Sequence, residues 1–335
     1  MKDHEIFMNL RADYAFKKVF GTIANKKALI HFLNVLFKKD GFVVKDVEFH
    51  NKEVLPDAKS SSDPTKRGKQ IVYDVYCSAK GQNHHFILEM QQENTAFFED
   101  RAFYYAIKAI ALQGMSGWSY NLNPVFSIFI LGFNLPGHVV KLVHDFRIAD
   151  IETHQLFSDK LRMIFLCLPE VRRKWNDCRT EEEKILFIIK NMHKMTRESE
   201  PYKSGEYRDL FDASEIKSLA EEEMVLYSQS YAKMRENELA IEYAANEAKV
   251  KARAEGLAEG KAEGRAEGIA EGKAVGLAEG KAVGLAEGKA VGLAEGKAVG
   301  LAEGKAVGLA EGIAATIDKL KKLGVDPEII KQLQG

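Results

Sequence analysis

Three residues on two consecutive strand-like segments could do chemistry together: Asp74, Glu89 and Gln91. Asp74 lies in the segment 71–77, and the other two lie in the segment 84–91, with a short turn between the segments. Side chains alternate across a strand, so Glu89 and Gln91 point to the same face, and a hairpin folds Asp74 back beside them. Two carboxylates and an amide are costly to bury inside apolar strands, and a divalent metal ion would offset that cost.

The chemistry that fits this set is the hydrolysis of a phosphodiester, which needs a metal ion to acidify a water and to absorb charge on phosphorus. Mg²⁺ takes oxygen ligands and usually binds one or two protein carboxylates, so Asp74 and Glu89 are candidate ligands. The Gln91 amide orients a water or a phosphate but supplies no charge. Lys69 and Arg101 are candidate sources of the missing charge. On spacing alone, the same pattern also occurs in solvent-facing strands.

The elements predicted around these strands follow the order helix, strands, helix, strand. In the segment 13–39, Asp13 is a candidate cap of the first helix and Gly21 ends it. A polar loop is predicted at 56–69. The remaining predictions are a strand at 43–50, a helix at about 94–115, a strand buried on both faces at 125–133, a strand at 161–168 and a mostly helical region at 180–240.

The C-terminal part is a repeat in which glycine recurs at every fourth position from Gly256 to Gly312. Alanine, leucine, glutamate and lysine favour a helix there, although each glycine costs about 1 kcal/mol relative to alanine. A four-residue period drifts around a helix of 3.6 residues per turn, so the glycines cannot form a long straight seam. Three interpretations of the tail are consistent with this pattern: a self-associating helix, a spacer, and a repeat with little selected role. The favoured interpretation is a helical spacer that also self-associates.

The composition limits the classes of partner. The 335-residue chain has a formal net charge of −1, so contact with a nucleic acid must depend on local basic patches. Its three cysteines form no paired motif, which favours a reducing compartment. The N-terminal residues contain no apolar signal core, and no apolar run is long enough to span a membrane. We therefore expect a cytoplasmic protein with no membrane partner.

Several segments resemble the PD-(D/E)XK nuclease family transposases, the group that includes the Rpn recombination-promoting nucleases. The resemblance covers about residues 9–170. It is carried by Arg11–Gly21, Phe32–Leu36, Asn51–Glu53, Tyr73–Cys77, Phe86–Gln91, Arg101–Tyr105 and Asn123–Ile128. Gln91 matches this group's own pattern, in which glutamine stands where the wider class of restriction-endonuclease-like sites has a lysine.

The resemblance implies a restriction-endonuclease-like α/β core and a Mg²⁺-dependent endodeoxyribonuclease associated with DNA recombination or mobile elements, with Mn²⁺ as an alternative ion. It assigns catalysis to Asp74, Glu89 and Gln91 and the metal to the two acids. Candidate accessory residues are Asp13, Glu53, Lys69 and Arg101. The accessory acids also fit structural roles such as a helix cap, and Arg101 also fits a structural ion pair or aromatic stacking.

The predicted organisation is a nuclease-like domain at 1–170, a helical region at 171–245, the repeat tail at 246–312 and a short helical segment at 313–335. DNA is the expected partner, and a homo-oligomer would form through the helical region or the tail. Two alternatives stay open, a non-catalytic DNA-binding or assembly protein that keeps the nuclease fold and a toxin-like RNase. A binding protein would shift DNA in EDTA without cutting it, whereas substrate assays distinguish an RNase.

Overall fold

A computed structural model of the chain describes residues 5–54, 71–114 and 121–332. The strands in these ranges are β1 (Val47–Phe49), β2 (Glu53–Val54), β3 (Ile71–Val72), β4 (Val75–Ala79), β5 (His85–Gln91), β6 (Val125–Leu131), β7 (Val143–Ala149) and β8 (Leu156–Cys167). The helices are α1 (Asp13–Phe20), α2 (Lys26–Leu36), α3 (Phe98–Ala111), α4 (Glu181–Asn191), α5 (Glu200–Lys203), α6 (Arg208–Asp212), α7 (Glu221–Lys322) and α8 (Pro327–Gln332).

Six of these strands form one mixed sheet in the order β1-β4-β5-β6-β8-β7. The hairpin of β4 and β5 is antiparallel, β5, β6 and β8 run parallel, and β7 closes one edge antiparallel to β8. All seven residues of β6 are buried, which confirms the prediction of a central strand covered on both faces. Strands β2 and β3 form a separate antiparallel pair.

Two hydrophobic layers cover the sheet, and the alternation of β5 explains their division. Phe86 and Leu88 point to the layer that contains α1, α2 and α4. On the opposite face, Phe98 of α3 packs against Phe129 and Phe165 of the central strands. Successive side chains point to opposite faces, so Glu89 and Gln91 face the α3 side, whereas Met90 packs against the layer that contains α1.

The chain divides into two compact units, one up to Tyr243 and the other from Ala244 onward. In the first unit, the beginning of α7 is fixed by Tyr227, which is fully buried and whose hydroxyl accepts a hydrogen bond from the Asn9 N–H at 2.9 Å. In the second unit, α7 continues through the glycine repeat, which confirms that the tail is helical. Residues 244–316 are exposed throughout. The predicted self-association of the tail stays a prediction.

Several predicted bounds were wrong in ways that follow from local geometry. Asp13 is not the helix cap, because Ala12 holds that position and the Asp13 carboxylate binds Lys17 instead. Helix α3 begins only at Phe98, because Phe97 adopts a left-handed backbone conformation. Strand β7 was not predicted, because five of its seven residues are exposed and it lacks an apolar run. The strand predicted at 43–50 is shorter, and the one at 161–168 begins earlier, at Leu156.

Among the described residues, no helix has both the length and the apolar character of a membrane span.

Candidate active site

The two carboxylates named from the sequence meet at the end of the β4–β5 hairpin. Val75 of β4 pairs with Leu88 of β5, so Asp74, one residue earlier, faces Glu89. The Asp74 N–H donates a hydrogen bond to Glu89 Oε1 at 3.1 Å, and the Met90 N–H donates one to Asp74 Oδ2 at 3.0 Å. The backbone of each strand therefore holds the carboxylate of the other.

Both carboxylates are held in an environment that opposes their charge. Burial raises the pKa of Glu89 well above its ordinary value, and the negative charge of Asp74 raises it further. Burial also raises the pKa of Asp74, although Lys17 and the Met90 N–H act in the opposite direction. The Asp74 side chain is only 13 % exposed. A cation bound at this pair would stabilise its ionised form.

Helix α1 supplies one cation directly. Lys17 Nζ lies 3.2 Å from Asp74 Oδ1 and 2.7 Å from Asp13 Oδ1, so the ammonium bridges the two acids. Burial alone would lower the pKa of Lys17, but the two neighbouring carboxylates outweigh it and raise the pKa. Asp13 is thus connected to the carboxylate pair through Lys17.

A second cation lies close to the end of the same helix. A side chain at Gly21 would place its Cβ 2.8 Å from Lys52 Nζ and 2.7 Å from the Lys17 carbonyl oxygen. Glycine is therefore required here for a close approach. Burial, and then the charge of Lys17, lower the pKa of Lys52. The negative charges of Asp74 and Asp13 act in the opposite direction and place this ammonium within the field of the site.

Gln91 is held in a defined orientation by contacts at both ends of its amide. Arg101 Nη2 on α3 donates a hydrogen bond to Gln91 Oε1 at 2.6 Å. Gln91 Nε2 donates to the Glu93 carbonyl oxygen at 2.8 Å. The Arg101 guanidinium also lies over the Phe98 ring, 5.8 Å from its centre, as a cation–π contact. Arg101 therefore stacks on an aromatic ring, which is one of the structural roles that the sequence left open as an alternative to phosphate binding.

Of the accessory candidates, one is not brought to the carboxylate pair and another lies outside the described residues. Glu53 is exposed on β2 and, within the described ranges, forms neither a hydrogen bond nor an ion pair with that pair. Lys69 and the predicted polar loop at 56–69 lie outside the described residues. Sequence reasoning missed Lys17 and Lys52 as parts of the site. The four-residue spacing of Asp13 and Lys17 was the available signal for the first.

The donor set fits a magnesium ion in number and type. Asp74 and Glu89 provide two carboxylates, and Mg²⁺ usually completes its coordination with waters and substrate phosphate. Within the described part of the chain, no group of three or more acidic, histidine or cysteine side chains is arranged to hold a metal ion. The suitability of this site for Mg²⁺ therefore depends on the two carboxylates, Asp74 and Glu89, and on their negative charge.

The fold and the site together describe an α/β protein with an acidic pair near the carboxyl end of a central strand, accompanied by a lysine and an oriented amide. A family model described as PD-(D/E)XK nuclease family transposase matches residues 10–244. The chain belongs to this family, which carries a restriction-endonuclease-like α/β fold and is associated with nuclease activity. Nucleases of the wider PD-(D/E)XK class generally use divalent metal ions.

The family match is longer than the segments that first indicated it. It continues beyond residue 170 through α4, α5 and α6 and includes the beginning of α7. No curated protein and no solved structure gives a significant match to the chain.

Proposed function

We propose that the protein is a metal-dependent endonuclease that hydrolyses DNA phosphodiester bonds at Asp74 and Glu89. The observation that carries the proposal is the pairing of these carboxylates, since each is held by the backbone of the other strand and burial raises the pKa of both. Such an arrangement is unfavourable for folding alone and suits a bound cation. The family supports nuclease chemistry and, through its description as a transposase, a role in recombination or mobile elements.

Asp74 and Glu89 would hold Mg²⁺, with Mn²⁺ as the alternative ion. When bound, the metal supplies Lewis-acid stabilisation of the phosphate and a more acidic water. Gln91 orients the attacking water or a phosphate oxygen through its amide, and Arg101 fixes that orientation from α3.

Lys17 provides the positive charge that an amide at position 91 lacks. Its ammonium reaches the site from α1 and lies 3.2 Å from Asp74 Oδ1. A cation at this position would stabilise negative charge that develops on the phosphate, because few waters compete in a partly buried site. Lys52, close to the end of the same helix, adds to the positive field.

The test is a digestion of supercoiled, linear and single-stranded DNA, and of RNA, by the full chain in Mg²⁺, Mn²⁺ or EDTA. We expect cleavage of DNA with either ion and none in EDTA. Asp74→Asn and Glu89→Gln should reduce the rate by at least about 100-fold. Glu48→Gln, which removes an exposed carboxylate on β1, is the matched control.

The other outcomes identify the alternatives. DNA binding in EDTA with no product under any condition would indicate a non-catalytic DNA-binding protein. Cleavage of RNA alone would indicate an RNase. Equal cleavage by wild type, Asp74→Asn and Glu89→Gln would reject the site.

A further inference from the structure

A cavity of about 380 Å³ adjoins the candidate active site in the first unit. It shares Asp13 and Gln91 with that site, and its opposite wall is the beginning of α7. Its lining includes Arg11, Asp13, Gln91, Gln92, Glu93, Lys233 and Asn237. Its volume is in the lower part of the range of about 300–1,000 Å³ that is typical of small-ligand pockets.

The α7 wall is held in place by side chains close to the site. The Arg11 guanidinium forms an ion pair with Glu238, and the Tyr14 N–H donates a hydrogen bond to Ser230 Oγ at 3.0 Å. Arg11 lies two residues before the first residue of α1, the helix that carries Lys17. The cavity is therefore bounded by elements that are fixed to one another, and its shape is preorganised.

Two side-chain donors of the cavity-lining residues are without a partner in the part of the chain that the structure describes. Arg11 Nε and Gln92 Nε2 are buried, and neither has a hydrogen-bond acceptor among the described residues. A buried donor without an acceptor costs about 1–3 kcal/mol, so such groups are rare unless a ligand completes them. Gly132 keeps Gln92 in place, because a Cβ there would lie 2.7 Å from the Gln92 carbonyl oxygen.

The charged residues of the lining are two acids, Asp13 and Glu93, and two bases, Arg11 and Lys233. Lys233 is exposed, and it forms no ion pair with any residue in the described ranges. Asp13, one of the acids of the lining, is bound to Lys17. Arg11, Gln92, Lys233 and Asn237 all carry nitrogen donors and line a space that begins at Gln91, and phosphate oxygens accept from all these donor types.

We propose that this cavity binds the phosphodiester backbone of the DNA strand next to the scissile phosphate, so that the beginning of α7 forms the outer wall of the substrate path. This inference rests on the proposed nuclease function. It assigns Arg11, Gln92, Lys233 and Asn237 to substrate binding and gives α7 a direct role in the active-site region.

The experiment measures binding without cleavage, with labelled single-stranded DNA, double-stranded DNA and RNA in EDTA over a range of salt concentrations. Lys233→Met should weaken DNA binding about 3- to 10-fold and reduce the slope of log K against log salt by about 1. Lys217→Met removes an exposed lysine outside the cavity and should leave both quantities unchanged.

A second variant separates binding from folding. Gln92→Leu removes an unpartnered donor, so the melting temperature should stay the same or rise while DNA binding weakens. Equal binding by wild type, Lys233→Met and Gln92→Leu would overturn the inference, as would a loss confined to RNA.

The two proposals fail separately in these experiments. If wild type never cuts DNA but Lys233→Met and Gln92→Leu lose binding, the cavity assignment stands and the nuclease proposal fails. If Asp74→Asn abolishes cleavage while both cavity variants bind normally, the cavity assignment alone fails.

Discussion

Lys17 and Asp74 form an ion pair of 3.2 Å between the first helix and the residue that precedes β4. The other oxygen of Asp74 accepts the Met90 N–H, so the carboxylate is fixed from the helix on one side and from the neighbouring strand on the other. The pair connects the segment Arg11–Gly21 to the β4–β5 hairpin, which carries the two proposed metal ligands. It also identifies a cation for a site in which glutamine stands at the usual lysine position.

Replacement of Lys17 by methionine should lower DNA cleavage by about 10²–10³-fold, because it removes a preorganised positive charge from the site. Metal binding should be kept or strengthened, since Asp74 then loses the ammonium that contacts it directly. Cleavage rates and calorimetric titration with Mn²⁺ measure the two effects.

The control for this prediction is Lys26→Met, which removes a lysine paired with Asp46 away from the site. Lys17→Arg should restore part of the activity, because it restores the charge. Cleavage by Lys17→Met at the wild-type rate would contradict the assigned role of the ammonium.

The meeting of Asp74 and Glu89 could be predicted from the sequence because it depends on local rules. A short turn makes the hairpin, and alternation along a strand selects the face. The hydrogen bond between Gln91 and Arg101 was harder to predict from the sequence, because the loop between β5 and α3 sets the direction of the helix. Sequence spacing placed Arg101 on a helix but did not reveal its partner.

The contribution of Lys17 could not be read from the sequence in the same way. A lysine on an amphipathic helix usually faces solvent, and only the packing of α1 against the sheet brings this one to Asp74. The role of α7 was hidden for a similar reason. Its first residues were predicted as part of a helical region at 171–245 that is separate from the nuclease-like domain, whereas Tyr227 and Met234 are buried in the core of the first unit.

Glu89→Gln should make the metal-free protein more stable while it abolishes cleavage. An acid whose pKa is raised in the folded state contributes most to the free energy of unfolding at low pH. That contribution is lost as pH rises above the ordinary pKa of glutamate. At pH 8 in EDTA, the melting temperature of Glu89→Gln should exceed that of wild type by about 2–4 °C, which corresponds to about 1 kcal/mol. The difference should shrink toward pH 4.5. A less stable variant at pH 8 would contradict this account.

Gly132→Ala should damage the site without touching a catalytic group. The added Cβ would lie 2.7 Å from the Gln92 carbonyl oxygen and 3.1 Å from its Cα, so the end of β5 must shift. Overpacking of this kind costs about 1–3 kcal/mol, and a small displacement of Gln91 should lower cleavage at least about 10-fold. Gly260→Ala is the control and should keep full activity, because an added Cβ there would have no described residue within 4 Å apart from its own stretch of helix. Thermal melts and cleavage rates provide the measurements.

His193 should make the protein less stable at mildly acidic pH. Burial, followed by the charge of Lys194, lowers the pKa of this histidine to about 4, and its Nδ1 is buried without a hydrogen-bond partner within the described ranges. Between pH 6.5 and pH 4 the unfolded chain therefore binds a proton that the folded chain does not, so the free energy of unfolding falls as pH falls through this window. His193→Gln removes the group that binds this proton. Urea unfolding followed by tryptophan fluorescence should therefore show a smaller loss of stability for the variant than for wild type as pH falls from 6.5 to 4. Parallel curves for the two proteins across this window would mean that His193 is protonated equally in the folded and unfolded states.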